Sequence, residues 1–378
     1  MSEYQYYEFV AVDRQLTRDE MDQLRSISSR AKISSTHFCN TYNYGDLKAQ
    51  PEQMLRDYFD AFVYDSNFSY RRFIVKMPKA CFDRRLLERY FPGEHSCFKP
   101  SRDHWLIEFC YSDEDCYDDN WWEEGSEGWM GSLLSIRSEL MRGDYRSLYI
   151  AWLAALEDDE VAENAGEIPV PPGLSDLTAS QSALCDFLKL DKYIVEAAAK
   201  NSPDASEVNL ESCIDNWLDD LPLAHCKKIV KSLLLDESGA VRAEKIASLL
   251  KAERNDPAVS QQTTAELKNK ARELKAEGLR RAEEERRKEL DKYIVDVAAK
   301  EPAYWRRVDE LFEKRGSSAV YQELSTKLRD LHLVAVREDK VTAYKKRVAD
   351  LQLRYAKKQS HWQAMRRANF DATTVSGS

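Results

Sequence analysis

Between Thr263 and Lys300 the chain runs for 38 residues with no proline and one glycine, Gly278. The segment AELKNKARELKAEGLRRAEEERRKELDKYIVDVAAK is rich in Ala, Glu, Lys, Arg and Leu, which are strong helix formers. Opposite charges recur four residues apart, as in Glu266–Lys270 and Glu284–Lys288, adding about 0.2–0.5 kcal/mol per pair. The apolar stripe stays thin until Leu290. A helix with so little apolar surface cannot be the centre of a core. Much of it is expected to face water and to span between parts of the molecule. At 378 residues the chain is in any case long for a single core, and two or three domains are expected.

The two sides of this helix differ in character. The first 115 residues mix strand and helix signals. YQYYEFVAV (4–12), THFCNTYNY (36–44), FSYRRFIVKM (68–77) and HWLIEFCY (104–111) are aromatic and β-branched, which suits strands. Between them, Thr17 and Glu20 form a capping box that Leu16 and Met21 can staple, opening a helix lined by Met21, Leu24 and Ile27. Pro51 suits a first helical turn, and CFDRRLLERYF (81–91) reads as a short helix. From Met130 the strand signals largely stop. The expected class is α+β: a small N-terminal α+β domain followed by a larger all-α region with a long charged helix. The expected organisation is an α+β domain over 1–115, an acidic loop with helices packed on that domain over 116–166, and a helical domain over 167–260. The long helix and a helical bundle follow over 261–370, then a flexible tail over 371–378. The Pro-rich EIPVPPGLSDL (167–177) is the expected boundary.

One eleven-residue pattern occurs twice. LDKYIVEAAAK begins at Leu190 and LDKYIVDVAAK at Leu290, with nine positions identical. The flanking residues do not match, and a solenoid would repeat whole units of about 20–50 residues at least three times. Two packing helices with the same stripe account for the match, and an old duplication remains the alternative.

Charge is unevenly shared. Residues 1–260 hold 29 Lys and Arg against 47 Asp and Glu, a formal −18, whereas residues 261–370 hold 27 against 18, or +9. Such halves face different partners or each other. The N-terminus lacks the basic and apolar regions of a signal peptide, no apolar run is long enough to cross a membrane, and the eight cysteines have no close paired spacing. They read as reduced cytosolic thiols, so the expected location is cytoplasmic. Only twelve glycines occur, which counts against a nucleotide-binding enzyme.

Signatures of catalysis are few. No Gly-rich phosphate loop, His-Glu-x-x-His, Gly-x-Ser-x-Gly or Cys-x-x-Cys is present. His95, Cys97, His104, Cys110 and Cys116 cluster in sequence, but their spacing fits no usual zinc finger, and core cysteines with surface histidines are expected. His225 and Cys226 are adjacent on a helix, so they diverge by about 100° and cannot form a dyad. No catalytic residue, metal or cofactor is assigned.

Two charged segments are candidate contact surfaces. SDEDCYDDNWWEEGSEGW (112–129) holds eight acids, no base and three tryptophans. Acids steer a partner and tryptophan supplies area, so Asp113, Asp115, Asp118, Asp119, Trp121 and Trp122 are candidate partner-binding residues. The bland reading is a solvated loop with its tryptophans folded back on the domain. Residues 337–370 hold ten bases against three acids, interleaved with Tyr344, Tyr355 and Trp362. Lys345, Lys346, Arg354, Lys357, Lys358, Arg366 and Arg367 are therefore candidate nucleic-acid contacts. Tyr344, Val348, Leu351, Tyr355 and Trp362 also share one helical face, which is the pattern of a packed amphipathic helix.

The opening YYEFVAVDRQLTRDEMDQLRSISSRAKISSTHF with YNYGDLKAQPEQMLRDYFDAFVY, the segments PVPPGLSDL and YWRRVDELFEKRGSSAVYQELSTKLRDL, and the closing LRYAKKQSHWQAM resemble an uncharacterised bacterial family. Some of its members are met beside SWIM-type zinc-finger proteins. The chain is also similar to the N-terminal part of the substrate protein of type III-E CRISPR (Craspase) systems. The resemblance spans nearly the whole chain and carries no catalytic motif. It implies a non-enzymatic regulator in antiviral defence that binds and restrains a sigma factor and is cut by a caspase-like protease. It identifies no cleavage residue and no partner-binding residue. The alternative function is a nucleic-acid-binding accessory protein using the basic C-terminal helix.

Overall fold

The structure, a computed structural model, describes residues 4–113, 128–204, 210–219, 221–235, 241–242, 245–246, 249 and 262–367. Side chains of 210–213 and 364–367 lie outside that description. The chain forms two compact units, Met1–Lys275 and Ala276–Ser378. It is α+β: a seven-stranded antiparallel sheet near the N-terminus followed by helices.

The strands are β1 (Gln5–Val10), β2 (Lys32–Ile33), β3 (His37–Tyr42), β4 (Ala61–Ser66), β5 (Tyr70–Pro78), β6 (Cys97–Ser101) and β7 (His104–Ser112). Their order across the sheet is β2-β3-β1-β4-β5-β7-β6. The edges are blunted, since β2 is two residues long and β6 carries Pro100. Alternation sends Phe9, Phe62, Ile74 and Leu106 to one face and Val63, Phe73, Val75 and Ile107 to the other.

The first face is covered by α1 (Arg18–Ile27) and α2 (Pro51–Asp57). Helix α1 begins at the expected capping box, with Thr17 and Glu20 each accepting the other's backbone N–H. Leu16 and Met21 both join the core beneath it. The opposite face packs against α3 (Arg84–Tyr90), α4 (Trp129–Leu133), α5 (Ser135–Met141), α6 (Arg146–Glu157), α7 (Ala179–Phe187) and α8 (Lys192–Ala199). Helix α6 is apolar nearly all round, and everything from Ser147 to Leu156 is buried. Such a helix has to lie inside a core.

This core takes in Leu174, Leu184 and Ile194 and reaches Leu267, in the first turn of α11 (Thr264–Ala299). The Pro-rich stretch expected as a boundary therefore sits inside the first unit, where Glu167, Val170 and Leu174 are buried. Glu167 accepts the Tyr149 hydroxyl at 2.5 Å, and its backbone N–H donates to Gln262 O at 2.9 Å. Thr264 is fully buried, and its hydroxyl donates to the carbonyls of Ala162 and Glu163. These bonds anchor the start of α11 to the first unit, so the compact units divide at Lys275 and not at residue 166 or 260.

Between α8 and α11 lie α9 (Leu210–Asp219) and α10 (Leu223–Leu235). The second unit holds the end of α11 with α12 (Glu301–Glu313), α13 (Ser318–Arg337), α14 (Val341–Arg354) and α15 (Gln359–Arg367). Trp305, Leu311, Phe312, Leu328, Tyr344 and Val348 form its centre. The twin eleven-residue patterns are both helical. Ile194 and Ala197 are buried in α8, as are Ile294 and Val297 in α11. The copies differ in their second stripe, because Leu190 and Val195 pack on the core whereas Leu290 and Val295 are exposed.

A buried ion pair joins the helical layer to the sheet. Arg137 of α5 is 4% exposed. Its Nη1 and Nη2 donate to the two carboxylate oxygens of Asp13 at 2.8 and 2.6 Å, and its Nε donates to Lys76 O at 3.0 Å. Beside it, Asp60 accepts the N–H groups of Val12 and Asp13 and the Lys76 ammonium. Burial pushes the Asp13 carboxyl up against the opposing pull of Arg137. The Arg137→Met variant leaves that carboxylate buried without its cation. Its unfolding free energy in urea should fall by about 3–5 kcal/mol, and the Asp13→Leu, Arg137→Met double variant should recover part of the loss.

Candidate functional site

Of the acidic-loop candidates, Asp113 is the one within the described residues. It is half-buried; its N–H donates to Ser69 O at 3.2 Å and its Oδ2 accepts the Tyr111 hydroxyl at 3.3 Å. Asp115, Asp118, Asp119, Trp121 and Trp122 lie outside the described residues. The third tryptophan, Trp129, is folded against the core. It meets Phe187 edge-on at 5.2 Å, and the Arg71 guanidinium lies over its ring at 5.3 Å.

The C-terminal aromatics do structural work. The Tyr344 ring is buried, and its hydroxyl donates to Leu328 O at 2.9 Å. Tyr355 stacks on Phe312 at 4.8 Å with an interplanar angle of 6°, and Trp362 packs on the same ring at 4.8 Å. Tyr344 is thus taken up by the core, whereas Tyr355 and Trp362 pack on Phe312 and stay half-buried. Among the candidate bases, Lys346 and Lys357 are exposed and Lys345 is half-buried. Arg354 pairs with Asp309 at 3.1 Å, and Lys358 donates to Lys314 O at 3.3 Å. Arg366 and Arg367 lie on α15, with side chains outside the described ones.

The histidines and cysteines of the first unit are held in separate local contacts, except Cys97 and Cys110, which share Glu108. His95 Nδ1 lies 2.6 Å from Glu160 Oε1, which also accepts the N–H groups of Glu94 and His95. Gly93 permits this approach, since a Cβ there would fall 1.9 Å from the Glu160 carboxylate. Cys97 and Cys110 flank Glu108, which holds Arg72 at 2.5 Å. Burial, then Glu108, pushes the Cys97 thiol up to about 11 and the Cys110 thiol up to about 12. Burial likewise raises Cys81 to about 11 and Cys185 to about 12. These thiols stay protonated near neutral pH and are poor nucleophiles. Cysteines 81, 97, 110, 185 and 226 form no disulfide among the described residues. Among the described residues, no group of three or more His, Cys, Asp or Glu is placed to hold a metal, and no helix is long and apolar enough to cross a membrane.

One open apolar surface was missed by charge scanning. Helices α9 and α10 face each other across a groove of about 320 Å³ lined by Trp217, Leu218, Ile229, Leu233, Ile246 and Leu249, among others. A second concavity of about 460 Å³ lies along α10. The signal was present in the sequence as a helical run, LAHCKKIVKSLLL, with apolar residues on two faces where one would suffice for packing. No protein-family profile matches the chain, and no curated protein and no solved structure matches it either.

His361 supplies a test of this packing. It is 1% exposed, stacks with Phe312 at 5.9 Å and meets the edge of Tyr321 at 5.0 Å. Burial, with Lys358 adding to it, holds its pKa below the ordinary value. The unfolded chain therefore takes up a proton below about pH 6.5 that the folded chain resists. Stability should fall as pH drops from 7 toward 5.5, and the His361→Phe variant should lose part of that slope in thermal melts across this range.

Proposed function

We propose that the protein is a non-enzymatic interaction module whose first unit captures a basic partner. The observation that carries this reading is arithmetic. Met1–Lys275 holds 33 Lys and Arg against 49 Asp and Glu, a formal −16, whereas Ala276–Ser378 holds 23 against 17, or +6. However the first unit pairs its charges internally, at least sixteen acids exceed its own bases. Unpaired carboxylates are too costly to bury, so this surplus faces water or a partner. Clustered acids raise the local concentration and encounter rate of a basic protein.

A protein that binds nucleic acid offers such a surface, because it is built to meet phosphate charge. The resemblance to the Craspase substrate gives a sigma factor as that partner, a caspase-like protease as the controlling enzyme and the cytoplasm as the setting. The raised pKa values of the Cys81, Cys97, Cys110 and Cys185 thiols support a structural role for them over a catalytic one.

Affinity capture of the full chain from its native cell, followed by mass spectrometry, tests the reading. The enriched protein should be basic, and its recovery should fall steeply between about 0.1 and 0.5 M salt as screening sets in. Changing Asp113, Asp115, Asp118 and Asp119 to Asn should weaken binding of the recovered protein about tenfold, as four contacts of about 0.3–0.5 kcal/mol each would give. An acidic partner, or one held equally well by the neutralised chain in high salt, would contradict it.

A further inference from the structure

Within the first unit, the described residues on either side of 205–261 come together. The Asn201 side-chain amide donates to Gln262 Oε1, and the Gly173 N–H donates to Pro203 O at 2.9 Å. Between these closed ends, no residue whose side chain is described is buried. Helix α10 nevertheless carries Leu223 at 71% exposure, Val230 at 53% and Leu234 at 82%. Helices in proteins draw most of their stability from burying an apolar face. Here one face of α10, with Ile229 and Leu233, looks into the groove shared with α9, and Val230 lines both this groove and the concavity on the other side. The other face has no such counterpart among the described residues.

That outer face has a definite form. Leu223, Val230 and Leu234 stand at i, i+7 and i+11, one side of a helix over three turns. Lys227 and Lys231 lie beside them, and both line the concavity of about 460 Å³ with Val230, Leu234 and Leu235. Every charge on α10 is positive: Lys227, Lys228 and Lys231, with no acid. Helix α9, which faces the inner side of α10 across the groove, carries Asp215 and Asp219 and no base.

We propose that the outer stripe of α10 docks an acidic amphipathic helix of a partner protein. The apolar residues of that helix would lie along Leu223, Val230 and Leu234, and its flanking carboxylates would meet Lys227 and Lys231. A single stripe at helical spacing suits one helix. An anionic bilayer is disfavoured, because a wide charged plane would bring the whole acidic unit into repulsion, whereas a helix meets only the local lysines. A second copy is disfavoured too. Its α10 would set lysine against lysine, and its α9 already turns Trp217 and Leu218 into its own groove.

The test uses the full-length chain and a synthetic 18-residue helical peptide with a leucine stripe and glutamate flanks. A matched peptide carries lysine flanks. Fluorescence anisotropy at about 0.1 M salt should show the glutamate peptide binding at least tenfold tighter than the lysine one. The Leu223→Ser, Leu234→Ser double variant should weaken that binding at least tenfold. Both residues are exposed, so its circular dichroism and melting should be unchanged. The Lys227→Glu, Lys231→Glu variant should reverse the preference between the peptides. No binding of the glutamate peptide at millimolar concentration would overturn the proposal. So would equal binding of the two peptides, or binding unaffected by the serine changes. Self-association by light scattering that the serine variant abolishes would name a second copy as the occupant, and co-sedimentation with phosphatidylserine vesicles that it abolishes would name a membrane; either overturns the partner helix.

Discussion

The arrangement of the first unit turns on a charge placed where a charge is expensive. Arg137 sits on a helix inside the apolar layer, and its guanidinium spans three separate pieces of chain: α5, the loop after β1 through Asp13, and the end of β5 through the Lys76 carbonyl. Burying an arginine is tolerable only when its fork finds a matching carboxylate and its remaining donor finds an acceptor, and both conditions are met here. Apolar contacts alone would let α5 slide along the sheet with little change in energy. A bidentate pair between residues 124 apart in sequence fixes both its position and its orientation. The neighbouring Asp60–Lys76 pair works the same way, because Lys76 also donates to Leu55 O at the end of α2. The two covering layers are thus registered through the sheet by one connected polar cluster.

What the sequence revealed, and what it hid, follows from the range over which each determinant acts. The cap at Thr17 and Glu20 is a contact between residues three apart, and α1 starts where it predicts. The Thr263–Lys300 run is equally local, and it is one helix from Thr264 to Ala299. Strands β4 and β6 were missed for different reasons. The apolar residues of β4 follow directly on Tyr58 and Phe59, so the helical spacing of α2 masks the change of period. Strand β6 contains Pro100, which argues against a strand everywhere except at an edge, and β6 is an edge. The segment over 167–177 looked like a linker because proline and glycine are counted locally. Its burial depends on Gln262 and Thr263, about ninety residues away, and no window along the chain contains that contact.

The charged segments teach a related lesson. Tyr344, Tyr355 and Trp362 share a face with each other and alternate with lysines, so the sequence allowed either a stacking platform or a core. In the fold, Tyr355 and Trp362 pack against Phe312 and Tyr344 closes over Trp305, which accounts for their shared face. The bases beside them answer to mixed demands: Arg354 is held by Asp309, while Lys346 and Lys357 project to solvent. Positive charge on a surface helix is the ordinary consequence of keeping its outer face wet. It acquires meaning only where apolar area is left uncovered beside it.

That distinction separates the C-terminal helices from α10. On α14 the apolar stripe of Tyr344, Val348 and Leu351 is consumed by the core, and its lysines are a solvated rim. On α10 no described residue covers the stripe, and the lysines border it. A small basic strip within a unit of formal charge −16 is a local reversal of field. Screening confines each charge to roughly 8–10 Å at physiological salt, so what a docking helix feels is the strip and not the total. The two proposed contacts, a basic protein drawn to the acidic surplus of the first unit and an acidic helix held on α10, are therefore compatible. These are contacts of different range, the first governing encounter and the second governing residence, and one bound partner carrying both kinds of surface would satisfy them together.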